Sequence, residues 1–391
     1  MSAGFDLAVR GGTVVGPRGR AKLDVYARDG RIAAITAAGE GLPATREIDA
    51  GGLLVLPGGV DTHVHFMDPG DPTREDFPTG SAAAAARGVT TVVEHTHGWP
   101  VYDRDRLAEK IAHLEGRSHV DYGLAAHVWP DRIDELPALW HGGVTFFKAF
   151  TCETHGVPAI DSDTMIRLAE HLVALGAPCL VHCEDDRVTA GNERRLRGAG
   201  REDGGVVPAW RSREAELISV GLVATVARRT GARLVVAHAS DPEVLDLVAR
   251  EGGGGLVAES CPQYLHLREG EVETEGAFRK FTPPARIRTD REEREMWDRF
   301  ESGAIHHLSS DHAPATRAQK TEGDIWSVHF GLPGIDTTYP VMAAAALEGR
   351  TSLERVVEAY CERPARLYGL RGKGRIRPGF DADLALLDPG R

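Results

Sequence analysis

From residue 53 the chain alternates short extended runs with helix-forming stretches, and the pattern recurs through eight strands in about 260 residues. An apolar run, Leu53 to Leu56, breaks at Pro57-Gly58-Gly59 and continues into Val60 to Phe66. The Ala-rich segment Glu75 to Arg87 favours helix, Gly88 ends it, and Val89 to Val93 is β-branched and extended. Arg104 to Glu115 and Tyr122 to Val128 repeat the order, then Asp131 to Trp140 and Val144 to Phe150. Asp161 to Leu175, with Asp161 as N-cap, precedes Cys179 to Cys183, and Arg213 to Arg229 precedes Leu234 to His238. Pro242 to Arg250 leads to Leu256 to Glu259, and Arg291 to Glu301 to Ile305 to Ser310. This predicts an α/β fold, a TIM-type (β/α)8 barrel over residues 53–369. A doubly wound open sheet is the alternative, but no Gly-rich phosphate-binding turn follows the first strand.

Residues 5 to 36 read as strands without helices, with Asp29-Gly30 as a tight turn before Arg31 to Ile35. The style returns at Gly374 to Gly379 and Asp383 to Leu387. Residues 1–52 and 370–391 are therefore expected to build one small β-sandwich-like domain from both chain ends. The balance of 46 basic against 58 acidic residues, net −12, argues against a nucleic-acid partner or an anionic membrane surface. No stretch approaches about 18 uninterrupted apolar residues, so no membrane span is expected. Met1 to Arg10 lacks the basic start and apolar run of a signal peptide. The five cysteines are odd in number and include no C-x-x-C pair, which fits reduced thiols in the cytoplasm.

Barrels of this type carry their chemistry at the C-terminal ends of the strands. His63 and His65 follow the first strand, Lys148 lies in the fourth, His182 and His238 end the fifth and sixth, and Asp311 ends the eighth. In an extended segment His63 and His65 point the same way and can chelate one cation, neutral imidazole suiting zinc, nickel or iron. One buried histidine at a strand end is ordinarily structural, as is an H-x-H pair in a chain with 17 histidines. Four histidines, a lysine and an aspartate at five strand ends are hard to explain by packing and point to a metal site. A charged lysine would repel the cation, whereas a neutral amine inside an apolar strand can take up carbon dioxide and become an anionic carbamate. Pairing of Lys148 with a carboxylate such as Glu153 or Glu184 is the competing reading, and the residues alone leave both open.

Leu56-Pro57-Gly58-Gly59-Val60-Asp61-Thr62-His63-Val64-His65-Phe66 resembles the opening metal motif of the cyclic amidohydrolases, the group of hydantoinases, dihydropyrimidinases, allantoinases and dihydroorotases. Phe147-Lys148-Ala149-Phe150, Val181-His182-Cys183-Glu184 and Ala237-His238-Ala239-Ser240 are similar to its later ligand motifs. Glu259-Ser260-Cys261-Pro262, Ser310-Asp311-His312-Ala313-Pro314 and Gly379-Phe380-Asp381-Ala382-Asp383 resemble further signatures. The resemblance implies two divalent metal ions, with zinc expected. His63 and His65 would bind the first and His182 and His238 the second, with N6-carboxylated Lys148 bridging and Asp311 completing the first site. It further implies Asp311 as the catalytic proton carrier, substrate contacts at Glu153, Ser260 and Gly331, and a homo-oligomer, dimer or tetramer. The expected substrate is a small cyclic amide, ureide or imide.

Four substrate-facing positions depart from the family pattern. Met67 stands where dihydroorotases usually carry Arg, and Val93-Glu94-His95-Thr96-His97 lacks their second-strand Asn. Glu153 replaces the hydantoinase Tyr, and Phe330 replaces Asn before Gly331-Leu332-Pro333-Gly334. The segment from Asp311 through Gly323-Asp324-Ile325-Trp326 looks closest to the allantoinase and dihydroorotase-like branches. A dihydroorotase proper and a mononuclear deaminase of the wider superfamily are the alternatives. A non-enzymatic relative should lack ligands, and all six are present here.

Overall fold

A computed structural model describes residues 4–390. Its strands, in chain order, begin with β1 (Phe5–Gly16), β2 (Gly19–Arg28), β3 (Arg31–Ala37), β4 (Ala44–Asp49) and β5 (Leu54–Pro57). They continue with β6 (Gly59–Val64), β7 (Val89–Glu94), β8 (Asp121–Leu124), β9 (Ala126–His127) and β10 (Phe147–Phe150). The last are β11 (Pro178–His182), β12 (Arg233–Val236), β13 (Leu256–Ser260), β14 (Ile305–Leu308) and β15 (Leu384–Leu387).

The small domain is a six-stranded sheet in the order β15-β5-β1-β2-β3, with β4 also paired to β1. The long β1 shifts register against β2 between Val9 and Gly12, so its first half pairs with β4 and its second with β5. Gly12 sits at that shift because a Cβ there would strike the Val55 side chain. Val9, Val14, Val25, Ile32 and Val55 form a core of the domain's own, joined by Ile376 and Leu384 from the far end of the chain. This sheet runs past residue 52, where the sequence reading ended it. Leu54–Pro57 pairs with β1 and antiparallel with β15 rather than opening the barrel.

The barrel proper begins at β6, where the Pro57-Gly58-Gly59 break redirects the chain. Strands β6, β7 and β8 pair in parallel, and β9 through β14 pair in parallel in sequence order. Ala125 separates β8 from β9 and bridges them, its amide bonding to Glu94 while the Ala126 amide bonds to Phe146. Counting β8 and β9 as one strand gives eight, the TIM-type barrel expected from the alternation. Closure is made beyond the end of β14, where the His65 amide donates to the His312 carbonyl at 2.8 Å and the His312 amide donates to the His63 carbonyl at 3.3 Å. Helices cover the outside. Ser162–Leu175 is capped by Asp161, whose side chain accepts from the Thr164 amide at 2.8 Å, as expected. Asp186–Gly198, Thr338–Leu347 and the turns from Leu353 to Leu367 are helical as well. Among the described residues no helix is long and apolar enough to cross a membrane.

Candidate metal centre

One cavity opens at the C-terminal ends of the barrel strands, lined by His63, His65, Lys148, His182, His238 and Asp311 together. His63 and His65 flank Val64 near the end of β6. Their Nε2 atoms lie 3.1 and 3.4 Å from Asp311 Oδ1. The Lys148 amine, at the centre of buried β10, lies 3.4 Å from His63 Nε2. From β11 and the residues after β12, His182 Nδ1 and His238 Nε2 face each other at 2.9 Å.

The outward nitrogen of three imidazoles is already engaged. His63 Nδ1 donates to Glu259 Oε1 at 2.6 Å, His65 Nδ1 to the His95 carbonyl at 3.0 Å, and His182 Nε2 to Glu184 Oε2 at 2.6 Å. Each bond fixes a tautomer and turns the remaining lone pair inward. Inward nitrogens and oxygens about 3 Å apart match neighbouring ligands of one cation, since metal–nitrogen bonds of about 2.0–2.1 Å set such edges. The residues present fit divalent metal: His63, His238 and Asp311 form one group able to hold an ion, and His63, His65 and His95 another. His238 and Asp311 also sit at φ +38° and +50°, a left-handed backbone that non-glycine residues adopt at a cost and that clusters at functional sites.

Burial sets the protonation states. It pushes His65 and His238 well below the ordinary imidazole range, and with the nearby Lys148 charge it lowers His63. It lowers the Lys148 amine and raises the Asp311 carboxyl. His182 differs: burial works against it, but Cys152 and Glu184 beside the ring raise it to about 9. Lys148 forms no ion pair among the described residues. Glu184 is taken by His182 and Arg211, and Glu153 is exposed.

The remaining expected positions fall in three places. Gly331 lines the cavity at φ +111°, where a Cβ would collide with the Ala313 carbonyl. Glu153 lines a second, outer cavity with Trp210, Arg211 and Lys280, which shares Thr154, His155 and Phe330 with the first. Ser260 is buried outside the cavity wall, its hydroxyl donating to the Ala239 carbonyl at 2.7 Å. Residues not anticipated at the site are Thr154, His155 and Thr282 as lining, and Glu259 and Asp61 as supports, while His97 and Phe330, from the departing positions, line it too. Asp61 accepts from the Ser310 amide and the Tyr360 hydroxyl, and burial raises its carboxyl to about 6. Of these, Asp61 and Glu259 stand inside the quoted motifs, and for Asp61 its place two residues before His63 is the available signal.

Phe330 and Gly331 arrive on a strap held by two lysines. The Lys320 ammonium donates to the carbonyls of Ala277, Lys280 and His329, and the Lys280 ammonium to those of Trp326 and Val328.

Residues 54–390 match the profile of the amidohydrolase family. The chain belongs to that family. An allantoinase of Rubrobacter xylanophilus is 38% identical over 399 residues, covering 100% of this chain and 86% of its own length. A dihydroorotase of Halobacterium salinarum is 34% identical, covering 94% of this chain and 86% of its own. The solved L-hydantoinase (dihydropyrimidinase) of Arthrobacter aurescens superposes with a TM-score of 0.91 at 31% identity, over 97% of this chain and 86% of that one. Amidohydrolase kinship thus agrees with a cluster of side chains able to hold a metal ion at the strand ends.

Proposed function

We propose that the protein hydrolyses the amide bond of a cyclic amide, ureide or imide. In this reading His63, His65 and Asp311 would hold one divalent ion and His182 and His238 a second, zinc expected, with Lys148, in its N6-carboxylated form, as a further ligand. The observation that carries the reading is the convergence of these six side chains on one cavity, with inward donor atoms 2.9–3.4 Å apart. The burial of Lys148, which favours its neutral and nucleophilic amine, supports carboxylation.

When bound, such a metal pair supplies Lewis acidity at a carbonyl and lowers the pKa of water. The chain's own residues do the rest. Asp311 turns Oδ1 towards His63 and His65, which leaves Oδ2 to take a proton from the attacking water. The same oxygen returns that proton to the ring nitrogen as the carbon–nitrogen bond breaks, giving an open N-carbamoyl or N-acyl acid. Phe150, Phe330 and Ala313 close the cavity with apolar surface, which strengthens every electrostatic contact inside it. The relatives named as allantoinase, dihydroorotase and L-hydantoinase support a ring substrate of this class.

The test is a hydrolysis screen over hydantoin, dihydrouracil, allantoin, dihydroorotate and a cyclic imide, with metal measured in the same sample. Opening of at least one ring with close to two metals per chain is expected. One metal per chain with deamination in place of ring opening would favour the mononuclear alternative. We further read the protein as a cytoplasmic homo-oligomer. All five cysteines are free and buried, and Ile166, Val173 and Ile218 expose apolar surface on two packed outer helices.

A further inference from the structure

Besides the six proposed ligands, the cavity wall offers four polar side chains: Thr154, Thr282, His97 and His155. Both threonine hydroxyls are committed, Thr282 to Glu184 Oε2 at 2.7 Å and Thr154 to the Cys152 carbonyl at 3.3 Å. The two histidines make no hydrogen bond to protein among the described residues. His97 buries its Nε2 atom with no partner, a cost that a native interior rarely accepts without a purpose.

Their arrangement is specific. His97 follows β7, and its ring lies 4.4 Å from that of His65. His155 stacks on it at 5.0 Å with only 16° between the ring planes, and meets Phe330 edge-on from the outer side. A tight turn delivers His155 there. Thr154 and Val157 exchange backbone hydrogen bonds, and the two residues between them have φ +52° and +78°. This is the type I′ pattern, which favours Asn-Gly, so histidine at its first central position carries backbone strain. A strained, exposed histidine folded back over a half-buried one at a cavity mouth needs a reason beyond packing.

We propose that His97 and His155 are the specificity pair of this site, binding the uncharged –NH–C(=O)– edge of the ring on the side away from the bond that is opened. A neutral imidazole has one donor and one acceptor nitrogen, so the pair matches both halves of such an edge. No guanidinium lines this cavity among the described residues, so a carboxylate on the ring would find no forked partner. This rests on the cyclic-amide reading above and names which face of the ring the protein reads.

The experiment titrates uracil, which carries that edge, into the metal-loaded protein by calorimetry, alongside His97→Phe, His97→Gln and His155→Asn. Metal content is measured for each. Asn suits the turn, so His155→Asn keeps the fold, and its short amide reaches only as far as the imidazole Nδ1, so the contact made by Nε2 is lost. Uracil affinity is expected to fall at least tenfold in His97→Phe and at least threefold in His155→Asn. His97→Gln, which keeps a donor and an acceptor, should stay within threefold of wild type. If His97→Phe loses metal through its contact with His65, His155→Asn decides the matter. The proposal is overturned if His155→Asn, and His97→Phe where it keeps its metal, bind uracil within twofold of wild type, or if the wild type shows no binding at millimolar uracil. No turnover is involved, so the hydrolysis screen can fail or succeed independently of this result.

Discussion

Glu259 Oε1 lies 2.6 Å from His63 Nδ1, and neither side chain reaches solvent. Burial alone would raise the Glu259 carboxyl, yet His63 and His307 hold it below the usual range. The carboxylate thus aims His63 Nε2 into the cavity and makes it a more basic ligand. Glu259→Gln keeps the acceptor and removes the charge. Metal affinity, measured by chelator competition, should drop about 10–100-fold with little change in melting temperature. An affinity within twofold of wild type would show that His63 is oriented by packing alone.

Lys148 tests the metal bridge. Lys148→Ala should lower metal content and activity together, and short-chain carboxylic acids added to the variant should restore part of both. Mass spectrometry and a high-resolution crystal structure of the loaded wild type should show the carboxylated side chain. A bare amine at Lys148 beside two well-occupied metals would rule the bridge out.

For Asp311 the expectation is catalytic rather than structural. Asp311→Asn retains the shape and loses the proton carrier, so turnover should fall at least about 10²–10⁴-fold while the far-UV spectrum is unchanged. More than half of wild-type turnover would remove Asp311 from the proton transfer.

Dihydroorotate should be a poor substrate. Met67 is buried at φ +59° with Thr96 against its sulfur, and it does not line the cavity. Arg286 cannot substitute for the missing fork, since it is buried against Ser240 and the Arg211 carbonyl. Glu94 adds no negative charge at the mouth, since it is buried, ion-paired to Lys110 and accepts from the Thr96 amide. Loss of a charge-assisted hydrogen bond costs about 1.5–3 kcal/mol, or one to two decades in kcat/KM. Dihydroorotate should therefore trail hydantoin or dihydrouracil by tenfold or more, and the reverse order would disprove the reading of Met67.

The strap gives a fourth kind of test. Lys320→Met leaves the His329 carbonyl without a donor and takes one of two donors from those of Ala277 and Lys280, at about 1–3 kcal/mol in urea unfolding. Because the strap carries Phe330 and Gly331, KM should rise severalfold while kcat changes less. Unchanged stability and KM would mean that the strap is held by other contacts.

Much of this was legible in the residues. The barrel showed itself because β-branched runs, Ala-rich stretches and glycine stops alternate locally, and the candidate ligands because they stand in or just after the extended runs. Less visible was the start of the barrel: Leu54–Pro57 is as apolar as a barrel strand, and only pairing with β1 and β15 assigns it to the small sheet. The helix Asp186–Gly198 is hidden in the sequence because Gly191, Asn192 and four arginines blur its apolar face. His97 could be read only as part of a departure from a pattern and His155 not at all, since their stacking depends on a turn that brings residues from two barrel strands together.

The seam of the barrel has a consequence for how this protein can change. The last strand is not joined to the first by an ordinary ladder, but by the peptide groups of His63, His65 and His312, with Asp61 receiving the Ser310 amide. Wall and ligand are here the same few peptides. A mutation that widens or tightens the joint must also reposition two imidazoles and Asp311. Variation at this joint is therefore penalised twice, once in folding and once in chemistry. Novelty in substrate choice is left to segments outside the joint, the turn at His155 foremost.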